Sequence, residues 1–326
     1  MSVQVTIVGL GQIGASVGLA LADHREMVRR VGHDREIGVA RLAEKMGALD
    51  KVSVNLPAAV QGADLVLLSL PIDQIRDTLA IVAQDLREGA VLMDTAPVKQ
   101  VVAGWIAELL PPERYYVGLT PILNPIYLHS QERGVQAARG DLFRDGLMAI
   151  VTPQHVPSDA IKLAADLTRL IGATPLFADA LEMDGLMAST HIVPQLLAAA
   201  LLDTTVDRPG WNEGRKIAGR DYAQVSAPIL HPFETKSLRE AAMSDRENVV
   251  RVLDNVVASI QAMRAEIEAG LSAELDERLN RARRGRETWW RQRLAASWSD
   301  EERPPIEAPT ASEVFGRMIG MGRKKK

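Results

Sequence analysis

The chain has 326 residues, 47% hydrophobic and 25% charged, with 38 Lys and Arg against 42 Asp and Glu for a formal charge of −4. That length suits about two domains, the composition suits a large globular core, and the charge balance does not favour a nucleic-acid partner. With no cysteine and six scattered histidines, disulfides, thiolate nucleophiles, iron–sulfur clusters and His-rich metal sites drop out, and no metal is expected.

The apolar N-terminal run has no basic segment before it, since Arg25 is the first Lys or Arg, and Gln4, Gly9, Gly11, Gln12 and Gly14 interrupt it. It reads as fold rather than as a secretory signal. The run Val193–Leu202 is too short to cross a bilayer, so a cytoplasmic protein with no membrane partner is expected.

Short β-branched runs then alternate with helical patterns. Strands are expected at 3–9, 30–34, 65–70, 90–94 and 115–119, with helices at 13–22, 38–46, 75–86 and 98–110. Later strands at 147–151 and 175–177 flank a helix at 158–171. Such alternation specifies a parallel sheet with right-handed crossovers. After about Ala178 the strand pattern stops. A long apolar helix is expected at 181–202, a helix broken at Pro228 and Pro232 within 222–243, and another at 245–269. From Arg281, arginines surround Trp289 and Trp290, followed by Arg303-Pro304-Pro305 and a terminal Lys triplet. The expected fold is an α/β Rossmann-type domain at 1–177, an all-α domain for substrate binding and dimerisation at 178–280, and a basic, partly disordered tail at 281–326.

Gly9-Leu10-Gly11-Gln12-Ile13-Gly14 is a GxGxxG that follows a strand, opens a helix and precedes Asp34 by twenty residues. In that setting Gly9 permits the tight turn, Gly11 admits a pyrophosphate and Gly14 packs helix on strand. Gln12 and Ile13 begin the helix whose free amides and positive dipole end would meet phosphate. Asp34 would accept from ribose hydroxyls, which favours NAD, while Arg35 beside it leaves NADP open. Ser69-Leu70-Pro71 and Asp94-Thr95 close strand ends, where ligands bind in open α/β sheets, so Ser69, Pro71, Asp94 and Thr95 would line the nicotinamide side.

The blocks at 5–21 (VTIVGLGQIGASVGLAL), 94–99 (DTAPVK), 117–121 (VGLTP), 191–203 (HIVPQLLAAALLD) and 215–218 (RKIA) resemble the prephenate/arogenate dehydrogenases, over about residues 3 to 270. The resemblance implies a Rossmann domain and a helical dimerisation domain in the arrangement of 6-phosphogluconate dehydrogenase. It also implies a crevice between them where a cyclohexadienol carboxylate is oxidatively decarboxylated with NAD(P). The family's catalytic histidine corresponds here to Thr120, and its usual serine in the Asp-x-x-Ser-Val-Lys segment to Pro97. A hydroxyl can hydrogen-bond but is no base near neutrality. The loop 122–133 is also longer than usual.

His191 therefore stands as a candidate proton partner, against a packed or capping histidine. Arg215 or Lys216 could grip a substrate carboxylate, against a solvated basic pair. Asn124 could hydrogen-bond substrate, against a surface turn, and His129 could swing in from its loop, against plain solvent exposure. Lys99 could serve beside the cleft or be solvated. The expected ligands are a nicotinamide dinucleotide and a small carboxylate. Two other functions are open: a related dehydrogenase of hydroxy acids or imines, and a dinucleotide sensor that has lost its base.

Overall fold

The structure is a computed structural model and describes residues 3–229 and 234–296. Eight strands, β1 (Val3–Val8), β2 (Val28–His33), β3 (Lys51–Val52), β4 (Leu65–Leu68), β5 (Val91–Asp94), β6 (Tyr115–Ile122), β7 (Leu147–Val151) and β8 (Thr174–Phe177), form one sheet. Its order is β3-β2-β1-β4-β5-β6-β7-β8. Pairing is parallel from β3 through β6, as the alternation predicts.

The expectation of a wholly parallel sheet is corrected at β7, which runs antiparallel to β6 with Thr120 opposite Ala149. The reason lies in the connection. Between Ile122 and Leu147 the chain forms only short 3-10 turns at Pro125–Tyr127 and Val135–Ala137, so no helix carries it across for a parallel return. The pair β3 and α3 (Leu56–Val60) went unread, because two strand residues are too few to show alternation. Asn55 caps that helix, its Oδ1 accepting from the Ala58 amide at 2.8 Å.

Helices α1 (Gln12–Ala20), α2 (Ile37–Lys45) and α6 (Ser158–Leu170) cover one sheet face; α3, α4 (Ile72–Val82) and α5 (Lys99–Leu109) cover the other. Alternate strand residues supply the two cores. Leu65, Leu67, Val91, Met93, Val117 and Leu119 belong to the first, and Val66, Leu68, Leu92 and Tyr116 to the second. Each fully buried Leu, Ile or Val here contributes about 1.5–3 kcal/mol relative to exposure.

The described chain after residue 178 is helical, as expected. It comprises α7 (Ala180–Met187), a widened π-type turn at Ala188–Ile192, α8 (Val193–Thr205), α9 (Trp211–Ile217), α10 (Arg220–Ser226), α11 (Glu234–Ser244), α12 (Arg246–Glu268) and α13 (Ser272–Leu294). Ala188, Ile192, Val193, Leu238, Ala241 and Val249 complete the second core, so the helical region docks on the sheet face that α4 and α5 cover. The expected break at Pro228 falls between α10 and α11; Pro232 and His231 lie outside the described residues, as do 303–305 and the Lys triplet.

One expectation about length changes. Ala180–Thr205 is one 26-residue helix, long and apolar enough on those grounds alone to cross a bilayer, so the shorter run read at 193–202 underestimated it. Its buried residues contribute to a protein core. The basic segment is helical up to Leu294: α13 passes residue 281 without a break and turns back along α12, with Arg278 paired to Glu266 at 2.6 Å.

Candidate active site

The glycine loop joins β1 to α1. Gly9 has φ +89°, and a Cβ there would lie 2.2 Å from the Ser69 carbonyl oxygen. A Cβ at Gly14 would lie 2.0 Å from the Gly9 carbonyl oxygen. Both positions therefore need glycine for the fold itself. Gly11 differs: no atom stands within 4 Å of where its Cβ would be. The loop leaves open space over the α1 N-terminus, where helix amides and dipole favour an anion.

Asp34 follows β2. Its Oδ2 accepts from the Leu10 amide at 2.8 Å and its Oδ1 from the Glu36 amide at 2.9 Å. It thus holds the glycine loop to the next strand and keeps lone pairs for ribose hydroxyls. Arg35 is exposed. Ser69 sits against Gly9, with its amide bonded to Val8 O at 2.8 Å, and Pro71 caps α4. Gln12 reaches the Ala137 carbonyl at 3.4 Å, and Ile13 packs against the first core. Open glycine, anion-binding helix end and acidic strand end together fit a dinucleotide.

Asp94 and Lys99 depart from expectation. Asp94 is 1% exposed and turned into the protein rather than toward the cleft. It accepts from the Ala96 amide at 2.7 Å, Lys99 Nζ at 2.9 Å and the Tyr116 hydroxyl at 2.6 Å. Lys99, read as either cleft or solvated, is also 1% exposed, and its ammonium also donates to Leu119 O at 2.6 Å. Burial pushes its pKa down, while the Asp94 carboxylate opposes that. The Tyr116 hydroxyl is pushed well up, first by burial and then by Asp94. The β5 ladder ends at Asp94, opposite Gly118, so Lys99 takes the next β6 carbonyl where the ladder has run out. Gly118 makes room: a Cβ there would lie 2.9 Å from Lys99 Cδ. Asp184 of α7 joins this group by capping α5, accepting from the Lys99 amide at 2.5 Å and the Gln100 amide at 3.0 Å. Thr95 lies half-buried beside it, its amide on Leu68 O at 3.1 Å.

Thr120 follows Gly118 on the same face of β6, the face that carries Tyr116. It is 3% exposed, and its Oγ1 has no hydrogen-bond partner among the described residues. Across from this strand end, Met183 and Met187 of α7 pack around Ile122 and Ala149. His191 comes one turn after Met187, within the widened turn. Pro194 has no amide to give the Thr190 carbonyl, which is the local reason the helix opens there. His191 is exposed by surface area, although chain packed around it still takes water from the ring. Burial by the surrounding chain lowers its pKa, and the Arg133 guanidinium lowers it further. The loop after β6 therefore carries a cation whose charge acts on His191.

Other expected residues stand apart. Asn124 is buried but committed to its own loop, accepting from the Ile126 amide at 3.2 Å and donating to Asp141 O at 3.2 Å. Arg215 and Lys216 are exposed on α9, with Lys216 3.8 Å from Glu213 of the same helix. Of the residues near the crevice, sequence reasoning passed over Tyr116, Arg133 and Asp184. Arg133 lies within the long loop that was noticed; Tyr116 and Asp184 carry no local signal.

Comparison with known proteins bears on this geometry. Residues 17–176 match the family described as prephenate dehydrogenase, nucleotide-binding domain. A cyclohexadienyl dehydrogenase of Zymomonas mobilis is 25% identical over 266 residues, 81% of this chain and 88% of that protein. The chain is thus similar to prephenate dehydrogenases across its sheet domain and, with that relative, over most of its length. A prephenate dehydrogenase of Bacillus subtilis is 26% identical over 202 residues, 62% of this chain and 53% of that protein. The Aquifex aeolicus prephenate dehydrogenase, solved with hydroxyphenyl propionate and NAD+, superposes with a TM-score of 0.77 at 20% identity, over 88% of this chain and 98% of that one. These likenesses support an NAD(P)-dependent dehydrogenase with a nucleotide-binding N-terminal region, and the glycine loop is where this chain's residues fit NAD.

Proposed function

We propose that the chain oxidatively decarboxylates a cyclohexadienyl carboxylate of the prephenate or arogenate kind. Bound NAD+ would supply the two-electron acceptor. One observation carries the reading: at the end of β6, Thr120 keeps a buried hydroxyl with no partner among the described residues, on the face that α7 covers. Native proteins pair buried polar atoms, so such a group asks for a ligand. A substrate ring hydroxyl would complete it.

Thr120 orients that hydroxyl, and His191 accepts its proton as the ring C–H leaves as hydride. The carbon–carboxylate bond then breaks to release carbon dioxide, its electron pair makes the ring aromatic, and His191 can return the proton to the phenolate oxygen. A neutral imidazole is needed for the first step, and burial together with Arg133 favours it. Arg133 is also a cation placed to meet a substrate carboxylate. Arg215 and Lys216 are the alternative carboxylate ligands, from the helical region. Asp34 places a negative charge where a 2′-phosphate would fall, so NAD is the preferred coenzyme.

The chain acts as a cytoplasmic homodimer in this reading. Val250, Val257, Ile260 and Ile267 form an exposed apolar stripe along α12, and the apolar helix Ala180–Thr205 is largely uncovered in the single chain. Both are surfaces a second copy would bury.

Absorbance of NADH with prephenate, arogenate and a panel of hydroxy acids tests the proposal. Turnover with prephenate or arogenate is expected. Turnover with a hydroxy acid alone would replace the substrate class, and tight NAD binding with no turnover would make the chain a sensor.

A further inference from the structure

The arginine–tryptophan segment has no part in the chemistry above, yet it touches the loop that does. Arg286, Trp290 and Arg293 recur at spacings of four and three, which places them on one face of α13. Arg293 is 2% exposed, and its guanidinium donates to the carbonyl of Leu123, three residues after Thr120 and 170 residues away in sequence. The Trp290 ring lies 4.8 Å from the His129 ring, and the Arg286 guanidinium sits 4.8 Å from both indole centroids. Burying a guanidinium is costly without acceptors, so its approach to this loop is specific.

The same loop is tied down at its base. The Asn124 amide bonds to Leu142 O at 2.8 Å, the Tyr127 hydroxyl to Asp141 at 2.7 Å, and Glu132 to Arg139 at 2.6 Å. Arg133, beside the last of these, is the residue whose charge reaches His191. We propose that the C-terminal end of α13 is a positioning element of the substrate site: Arg293 and Trp290 hold segment 122–133, the loop that leaves β6 just after Thr120 and carries Arg133. Its contacts with Leu123 and His129 fall on segment 122–133, so its effect is expected on substrate rather than on NAD. The inference rests on the proposed function for its kinetic consequence, but the positioning itself can be read without turnover.

The test uses the full chain with Arg293→Gln, Arg293→Lys and Trp290→Leu. Hydrogen exchange across 122–133 should quicken in Arg293→Gln, and the His191 pKa, followed by NMR, should rise toward the ordinary histidine value as Arg133 moves off. NAD affinity should stay as in the parent. The KM for the cyclohexadienyl substrate should rise about tenfold, as losing a hydrogen bond to a charged group does, with kcat changed much less. Arg293→Lys should recover part of the loss. If Arg293→Gln does not fold, Trp290→Leu, which removes only a partly exposed ring, carries the same readouts in weaker form. Unaltered exchange and an unaltered His191 pKa in folded variants would overturn the proposal, as would NAD affinity and KM worsening together. Absence of turnover in the parent chain would sink the functional reading alone, since exchange and titration would still decide the positioning.

Discussion

The loop after β1 and the segment after β6 both leave the sheet toward ligand, but they are built in opposite ways. The first works through backbone: two glycines without room for a Cβ, one glycine open to ligand, and helix amides. The second works through side chains that distant elements bring together. Lys99 and Asp94 hold the strand beneath Thr120, α7 crosses above it, and α13 grips the loop beyond it. A site made of backbone writes itself into a short local pattern. A site made of assembled side chains does not.

The largest expected effect tests the first half of that comparison. Gly11→Val should abolish NAD binding by calorimetry while circular dichroism and melting stay near the parent, because the new side chain enters open space. Gly14→Val should instead unfold the domain, since its Cβ already meets the Gly9 carbonyl oxygen at 2.0 Å. Equal damage from both would erase the distinction between a binding glycine and a packing glycine.

The second half is tested by His191→Ala, which should lower kcat by about a hundredfold if His191 is the base. The sign of the pH dependence follows from the lowered pKa. Activity needs the neutral ring, so kcat/KM should fall as pH drops through a value below the ordinary histidine pKa. Arg133→Gln removes the neighbouring cation, so that limb should move to higher pH. A limb that stays put would detach Arg133 from His191.

The buried pair sharpens the comparison from the side of stability. Lys99→Met leaves the Asp94 carboxylate buried without its cation, and should cost about 3–5 kcal/mol, read as a fall in Tm. Adding Asp94→Asn should restore much of that loss, because removing both charges spares the uncompensated one. A double variant no better than the single would mean that Leu119 O and Tyr116, rather than the charge pair, fix Lys99.

How far the sequence could be read follows the same division. Strand–helix alternation identified every long parallel strand and the shift to helices after residue 178, since each rests on periodicity within one segment. The antiparallel turn at β7 was missed because it depends on what is absent between 122 and 147, a crossover helix. Gly9, Gly11, Gly14 and Asp34 could be singled out because the pattern that marks them is set by spacing. Asp94 was read as a cleft residue, and Lys99 as beside the cleft or solvated, because a place at a strand end or helix start says nothing about which way a side chain turns. Only Tyr116 and Leu119, packed behind them, show that they face inward. The basic segment read as a helical tail with some docking contact, but where it docks was not legible, since Leu123 lies 170 residues before Arg293.

The smallest effect is the most discriminating. Thr120→Val keeps the shape of the side chain and removes a strand-end hydroxyl that has no partner among the described residues. If that hydroxyl only occupies space, the variant should melt at or above the parent temperature, since an unpaired buried polar atom costs about 1–3 kcal/mol, and its kinetics should not move. If it orients the substrate, melting should again hold or rise, but kcat/KM should fall by up to about tenfold, the worth of one neutral hydrogen bond. Stability and activity then move in opposite directions at a single position. A hydroxyl kept at a cost to the fold is held there for what binds to it, whereas parallel losses in both would make Thr120 ordinary core and leave His191 to act without it.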